Sequence, residues 1–292
     1  MIPRHFHFVF GLKPQAEPFH LMHYLCLASC LEVNRPDRLT LYYHYEPHGP
    51  YWERIRDRIE RVKVDLVPEV SRFDYTDRAI ADEYRYAHHA DFIRIDRLIE
   101  SGGVYADMDT LFVTPYPDAF YEKRLVLGRE ADSWCERSGR MQPSVCNALM
   151  LAAPGSPALI DLRSRMTDAL DGSWTAHSCL LLYEIAQAYP DEVTLLGPRP
   201  FFRFMWNRRR DLRLLFEGME RDLEGVHSIH LWSHLWWSRR RRDFSRFHAG
   251  RITEARVRWV DTTYNVLARP YLPKRRRWWA TTARAGGPGA GR

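Results

Sequence analysis

Long apolar segments are missing from the sequence. No run of about 18 apolar residues, the length that a membrane-spanning helix needs, occurs in the 292 residues of the chain. The amino terminus, M-I-P-R-H-F-H-F-V-F, also lacks the basic start and extended apolar stretch of a secretory signal. We therefore expect a cytoplasmic protein, with contact to the inner face of the membrane at most peripheral.

Cysteine is scarce. The five cysteines are an odd number scattered between Cys26 and Cys179. They lack the paired short spacings of a zinc site, and they do not form the dense framework of a disulfide-stapled domain. This usage favours a reducing compartment.

Acidic residues are outnumbered by basic ones, 37 to 43, so the net charge is +6. Basic runs lie at 239–242 and at 274–277, the second leading into Trp278 and Trp279. Basic residues beside tryptophans suit an anionic membrane surface. We expect 271–292 to be a basic disordered tail, either solvated or in peripheral membrane contact. No nucleic-acid partner is expected, because neither run shows the aromatic interleaving of a nucleic-acid module.

The remaining composition is that of an ordinary globular protein, with 45% hydrophobic and 27% charged residues. Alternating apolar patterns predict strands at 4–10, 39–45 and 62–67, and helices are predicted between them at 19–32 and 52–61. This order implies an α/β fold with a Rossmann-like, mostly parallel sheet covered by helices on both faces. In such sheets, ligands bind beyond the carboxyl ends of the strands.

The most informative segment begins with a helix predicted at 87–100, which a glycine pair ends. A strand is predicted to follow at 104–109, and its alternation places Asp107 and Asp109 on one face, about 7 Å apart. Two carboxylates buried on one face repel each other, so the arrangement requires a cation. Mg²⁺ or Mn²⁺ fits best, because these ions prefer oxygen ligands and keep positions for phosphate oxygens.

The same segment resembles a known family. The sequence reads A-D-F-I-R at 90–94 and G-G-V-Y-A-D-M-D at 102–109. This is similar to the D-x-D sugar-binding region of GT-A glycosyltransferases, which has the pattern S/A-D-x-x-R-Y followed by L-x-x-x-G-G-I-Y-x-D-x-D. Ile95 replaces the tyrosine that often follows the arginine. The resemblance covers about twenty residues, including the internal spacing and the glycine pair.

The resemblance implies a role for each matching residue. Asp109 is expected to bind the metal directly, and Asp107 to contact the ribose and the donor sugar. Asp91 and Arg94 are expected to bind sugar hydroxyls, and Tyr105 to lie beside the nucleotide. Asp107 and Asp109 are the expected catalytic pair.

Weaker similarities extend this resemblance toward both ends of the chain. The opening I-P-R-H-F-H-F at 2–8 is similar to the family opening I-P-K-x-I-H-x-x-W, which implies that Phe8, Val9 and Phe10 neighbour the base. Asn147 resembles an asparagine that faces donor or acceptor, although it could equally cap a turn. The late segment H-L-W-S-H-L-W-W at 230–237 resembles the motif that completes the metal and phosphate site. Its expected members are His230, His234 and Trp236, and which histidine binds metal stays open.

The sequence therefore predicts one GT-A domain over 1–270, with a nucleotide-sugar-binding half at 1–125 and an acceptor half at 126–270 that completes the metal site. The implied activity is metal-dependent transfer from a nucleotide sugar, preferably a UDP-sugar, to a glycan, a lipid-linked acceptor or a small molecule. The relatives imply retention of configuration, by same-face attack through an oxocarbenium-like state. The rivals are a metal-dependent hydrolase of phosphoesters or sugar nucleotides and a non-catalytic basic binding module.

Overall fold

The computed structural model describes residues 1–76, 78–233 and 251–274, without the side chains of 78–83. Predictions about His234, Trp236, the basic run at 239–242 and the tail after Lys274 lie outside these residues.

Strands and helices alternate in the first part of the chain. The elements are β1 His5–Val9, α1 Leu21–Val33, β2 Arg38–Tyr43, α2 Trp52–Ile55, β3 Glu60–Lys63, α3 Pro68–Arg72, α4 Arg78–Ser101 and β4 Gly103–Ala106.

The second part contains more short elements. They are β5 Thr110–Phe112, α5 Asp118–Tyr121, β6 Leu125–Arg129, β7 Ser133–Cys135, β8 Arg140–Gln142, β9 Val145–Ala152, α6 Pro157–Ala169, α7 Leu181–Ala188, β10 Val193–Leu196, α8 Arg199–Phe202, α9 Arg209–Phe216, β11 Ser228–His230, α10 Glu254–Trp259 and α11 Thr263–Ala268. A π-helical turn, Ala176–Leu180, runs directly into α7.

Seven strands form the central sheet, in the order β10-β6-β9-β4-β1-β2-β3. Only β9 runs antiparallel to its neighbours β4 and β6, and the other four pairings are parallel. Two apolar clusters cover the sheet. One contains Phe6, Phe8 and α1, and the other contains Val9, Tyr105 and parts of α4, α6 and α7. The predicted α/β class, with a mostly parallel sheet between helices, is confirmed.

The helix and strand predicted at 52–61 and 62–67 have different bounds in the structure. Helix α2 ends at Ile55 and passes into a 3-10 turn, Arg56–Arg58. Strand β3 begins at Glu60 because this residue pairs with Thr40 of β2, whose hydroxyl donates a 2.7 Å hydrogen bond to the Glu60 carboxylate. Pairing with the neighbouring strand therefore outweighs the local helical pattern.

Two glycines join the 24-residue helix α4 to β4. Gly102 and Gly103 have φ values of +63° and +112°, which disfavour any residue with a side chain. A Cβ at Gly103 would also lie 2.2 Å from the carbonyl oxygen of His5. The glycine pair therefore lets β4 lie directly beside β1. Among the described residues, no helix is both long and apolar enough to span a membrane.

Asp107 and Asp109 lie in a turn, so the predicted strand at 104–109 is wrong for its last three residues. The strand ends at Ala106 because the chain closes a turn in which the Thr110 amide donates to the Asp107 carbonyl at 3.1 Å. Residues Thr110–Phe112 then form the short strand β5.

Strand β11 brings a distant histidine to this turn. It pairs antiparallel with β5, with His230 opposite Thr110, and the Leu231 amide donates to the Asp109 carbonyl at 3.0 Å. The pairing explains how a side chain more than 100 positions away along the sequence reaches the two aspartates.

Candidate active site

A cavity of about 1110 Å³ opens at the sheet edge where β1, β4 and β6 end. This volume is slightly above the range of about 300–1,000 Å³ that is usual for small-molecule sites. Its lining includes most of the side chains that the sequence singled out, namely Val9, Phe10, Asp91, Arg94, Tyr105, Asp107, Asp109, Asn147 and His230.

Phe8 is placed elsewhere. Its side chain is fully buried and packs edge-on to Phe112 in the core, at a ring distance of 6.3 Å. Because side chains alternate along a strand, Phe8 points away from the face to which Val9 belongs. The expectation that Phe8 neighbours a base is corrected accordingly.

Asp107, Asp109 and His230 form a compact cluster, in which one ligand atom from each residue lies within 4.8 Å of the others. His230 Nε2 is 3.0 Å from an Asp109 oxygen and 3.8 Å from an Asp107 oxygen. The other Asp109 oxygen accepts a 2.8 Å hydrogen bond from the Ser233 amide. Asp109 is thus fixed from two sides, while Asp107 is more open to the cavity.

Burial and mutual charge set the protonation of this cluster. Burial alone would raise the pKa of Asp109, but His230 and the Ser233 amide hold it well below its usual range. Burial raises the pKa of Asp107 although Arg94 opposes the change. The pKa of His230 would be lowered by burial, but Asp109 raises it above the usual value. The cluster therefore concentrates negative charge on Asp109 beside a cationic imidazole.

The donor set of the cluster fits a divalent cation. Two carboxylates and one imidazole are ligands that Mn²⁺ accepts readily, and the side open to the cavity leaves room for phosphate oxygens. A cation would also replace the proton that His230 shares with Asp109, since a metal-bound imidazole must be neutral. The second predicted histidine, His234, lies outside the described residues.

Arg94 lies beside this cluster and contacts several of its neighbours, and its side chain is only 5% exposed. Its guanidinium lies 3.1 Å from Asp91 and 3.3 Å from Asp107, and it donates to the Asn147 carbonyl at 2.7 Å. It also stacks 4.4 Å above the Tyr105 ring. The Tyr105 hydroxyl in turn donates to Asp107 at 2.7 Å, which places this tyrosine behind the carboxylate.

Asp91 is held by three groups at once. Besides Arg94, the Asn147 side-chain amide donates to one oxygen at 2.8 Å, and His177 Nε2 lies 3.0 Å from the other. Burial would raise the pKa of Asp91, but Arg94 and His177 lower it. Asn147 therefore does more than cap a turn, because it ties α4 to the first residues of β9.

Sequence reasoning missed several residues of the site. His177 is fully buried in the π-helical turn, in a region with no readable motif. Glu130 lines the cavity just after β6, and Trp206 and Trp232 also line it, Trp232 with its ring 4.3 Å from that of His230. Trp232 has a φ of +51°, and its indole donates to the Phe204 carbonyl at 2.8 Å. That bond holds the strained turn that carries Ser233 to Asp109. Trp236, the predicted tryptophan, lies outside the described residues.

The chain is similar to several known proteins. Residues 57–127 match the family described as glycosyltransferase sugar-binding region containing DXD motif. The chain is 28% identical over 282 residues to Glucan organizing enzyme 1 of Cryptococcus neoformans var. grubii, covering 93% of this chain and 71% of that protein. It is 35% identical over 98 residues to Initiation-specific alpha-1,6-mannosyltransferase of Schizosaccharomyces pombe, covering 30% of this chain and 24% of that protein. A solved structure named PaToxG Glycosyltransferase superposes with a TM-score of 0.43 at 13% identity, covering 65% of this chain and 70% of that one.

These observations define the class of the protein. The D-x-D acids after β4, the Arg94–Asp91 pair of α4 and His230 of β11 meet beside the central sheet in the arrangement of a glycosyltransferase site, and the relatives agree. More specifically, residues 57–127 match the model of the glycosyltransferase sugar-binding region containing DXD motif. The predicted resemblance is confirmed, and a DXD region implies the use of a divalent metal.

Proposed function

We propose that this protein transfers a hexose from a nucleotide diphosphate sugar to an acceptor hydroxyl with retention of configuration, and that UDP-sugars are its preferred donors. One observation carries the proposal. Asp107, Asp109 and His230 converge beside the buried Arg94–Asp91 pair at the wall of one large cavity. The first group suits a metal-bound diphosphate, and the second suits the hydroxyls of a sugar attached to it.

Asp109 and His230 would hold Mn²⁺ or Mg²⁺, with Asp107 facing the ribose and the sugar. The fixed position of Asp109 supports this role, because a preorganised ligand loses little freedom when it binds. The imidazole favours Mn²⁺ over Mg²⁺. When bound, the cation would neutralise the charge that grows on the leaving diphosphate.

Asp91 and Arg94 would bind the hydroxyls of the transferred sugar. Their mutual contacts and those to Asn147 and His177 keep both side chains in one geometry, so binding energy is not lost in ordering them. Tyr105 supports this pair, because its ring packs against the Arg94 guanidinium. Val9 and Phe10, at the end of β1, would neighbour the base.

We propose a glycan as the acceptor, and the relatives support this choice. The name of the Cryptococcus protein refers to glucan, and that of the Schizosaccharomyces protein refers to mannose transfer. Residues 1–125 would form the donor half and 126–270 the acceptor half. The cytoplasmic location and the membrane contact of the basic tail stay predictions.

The rival activity is hydrolysis of a phosphoester or sugar nucleotide by the Asp107, Asp109 and His230 cluster. A hydrolase needs no sugar acceptor, whereas a transferase accelerates when one is present. Purified protein would be incubated with UDP-glucose, UDP-galactose or GDP-mannose and Mn²⁺, with and without glucan and mannan oligosaccharides. We expect one donor to be consumed faster with an oligosaccharide, EDTA to stop the reaction, and product NMR to show a retained anomer. A rate of donor consumption that no oligosaccharide increases would favour the hydrolase instead.

A basic binding module is the second rival. Its affinity for vesicles or nucleic acid would survive Asp109→Ala and fall steeply with salt. Donor turnover that depends on Asp109 argues for the enzyme.

A further inference from the structure

Glu130 lies at the same sheet edge as Asp107, in a position that the D-x-D region does not include. Strands β4 and β6 flank β9, and Met150 of β9 pairs with Tyr105 on one side and with Leu127 on the other. Tyr105 of β4 and Leu127 of β6 therefore lie at the same level of the sheet. Asp107 follows Tyr105 by two residues, and Glu130 follows Leu127 by three. Two strand spacings separate them, which is about 10 Å.

The space between the two carboxylates belongs to the sugar-binding residues of the proposed function. The register between β6 and β9 shifts at the Leu127–Gly128 step of β6. Leu127 pairs with Met150 of β9, whereas Gly128 pairs with Cys146. The residues skipped there include Asn147, whose side chain donates to Asp91. A hexose bound at Asp91 and Arg94 would thus have the diphosphate site on one side and Glu130 on the other.

The surroundings of Glu130 differ from those of the other acids in the site. Asp91, Asp107 and Asp109 each lie within 4 Å of a basic side chain. For Glu130, no ion pair is found among the described residues.

Uncharged groups hold Glu130 instead. One oxygen accepts a 2.5 Å hydrogen bond from the Ser144 hydroxyl, and the thiols of Cys146 and Cys179 also face its carboxylate. Burial raises the pKa of Glu130, and these donors only partly oppose the change. Glu130 lines the cavity, and its carboxylate is more basic than a solvated one.

We propose that Glu130 is the nucleophile of a double displacement, an inference that rests on the proposed retaining transfer. A Glu130 oxygen bonds to the anomeric carbon while the bond from that carbon to the diphosphate oxygen breaks, and the nucleotide leaves with the electron pair. The acceptor hydroxyl oxygen then bonds to the same carbon, and the ester to Glu130 breaks to restore the carboxylate. The hydroxyl proton passes to the nucleoside diphosphate, which was released from the carbon in the first step and is still bound in the site. Two inversions give retention, and this path replaces the same-face attack that the resemblance implied.

Azide tests this step directly, because it can replace a missing carboxylate nucleophile. The donor is whichever of UDP-glucose, UDP-galactose and GDP-mannose the wild-type protein hydrolyses with Mn²⁺. Glu130→Ala is expected to lower this hydrolysis at least about 1,000-fold, while calorimetry shows nucleotide affinity within about twofold of wild type. Added sodium azide should restore donor consumption in this variant and yield the glycosyl azide of inverted configuration, identified by NMR.

Two further variants complete the experiment. Glu130→Gln keeps the acceptor for Ser144 but cannot form the ester, so it should be as inactive as the alanine variant and fold normally. Glu122→Ala removes an exposed carboxylate that does not line the cavity and should behave as wild type.

Intact nucleotide binding in Glu130→Ala, together with continued hydrolysis or no inverted azide product, would overturn the role of Glu130 alone. Failure of the wild-type protein to bind UDP or GDP would instead overturn the proposed function and this inference with it.

Discussion

Replacing Arg94 by methionine should destabilise the whole protein as well as its chemistry. The guanidinium is almost fully buried and is within ion-pair distance of Asp91 and Asp107. Methionine keeps much of the side-chain volume, so a large cavity is not formed. The change leaves two carboxylates of the site without their shared cation, and Asp91 retains only neutral donors and His177.

The expected cost is about 3–5 kcal/mol of unfolding free energy, the range found when one partner of a buried ion pair is removed. Urea unfolding followed by circular dichroism measures it. The matched control is Arg58→Met, which breaks the exposed pair with Glu32 and should cost about 0–1 kcal/mol. Adding Asp91→Asn to Arg94→Met should cost at least about 1 kcal/mol less than the sum of the single changes, because one stranded charge is removed.

A loss below about 1 kcal/mol for Arg94→Met would refute this reasoning, since it would mean that water solvates the two carboxylates without the arginine. Strict additivity in the double variant would refute the coupling of Arg94 to Asp91 in particular.

Other changes test separate parts of the structure. Tyr105→Phe removes the hydroxyl that donates to Asp107 and should lower the unfolding free energy in urea by about 1.5–3 kcal/mol; no loss would mean that water replaces the hydroxyl. Gly102→Ala places a Cβ 2.7 Å from a backbone nitrogen at a φ of +63°, so a loss of roughly 1–3 kcal/mol is expected in the same assay, and wild-type stability would contradict the steric argument. Burial lowers the pKa of His88 and of His89 from 6.5 to about 4. The unfolded chain therefore takes up protons first as the pH falls below 6.5, and each histidine should remove about 2 kcal/mol of stability by pH 5; unfolding curves that coincide at pH 7 and pH 5 would exclude this.

The sequence predicted the parts of the fold that local patterns control. Strand β1, helix α1 and strand β2 lie within two residues of their predicted bounds, because their apolar periods and turn residues agree with the final packing. The segment after Trp52 was misread because strand pairing with β2, a long-range effect, overrides its helical period. The end of β4 was misread for a similar reason, since a turn that contacts Leu231 interrupts the alternating pattern.

The candidate site divides in the same way. Asp91, Arg94, Asp107 and Asp109 lie in one continuous segment, so a motif sufficed to find them. His177 and Glu130 reach the cavity only through the order of the strands and the packing of the π-helical turn, and their local sequence has no distinctive pattern. Val9 and Phe8 show a second limit of prediction from sequence. A motif predicts where the strand lies, but only the pleat of the folded strand decides which of two neighbouring side chains faces the ligand.

Calorimetric titration of the protein with UDP and with GDP, each with Mn²⁺ and with EDTA, tests the central claim most directly. We expect one nucleotide to bind with Mn²⁺ and not with EDTA, and Asp109→Asn to abolish this binding. Asp118→Asn, which alters an exposed aspartate on α5, should bind as wild type does. Metal-independent binding, or binding that survives Asp109→Asn, would contradict the assignment of Asp109 and its neighbours as the metal and diphosphate site.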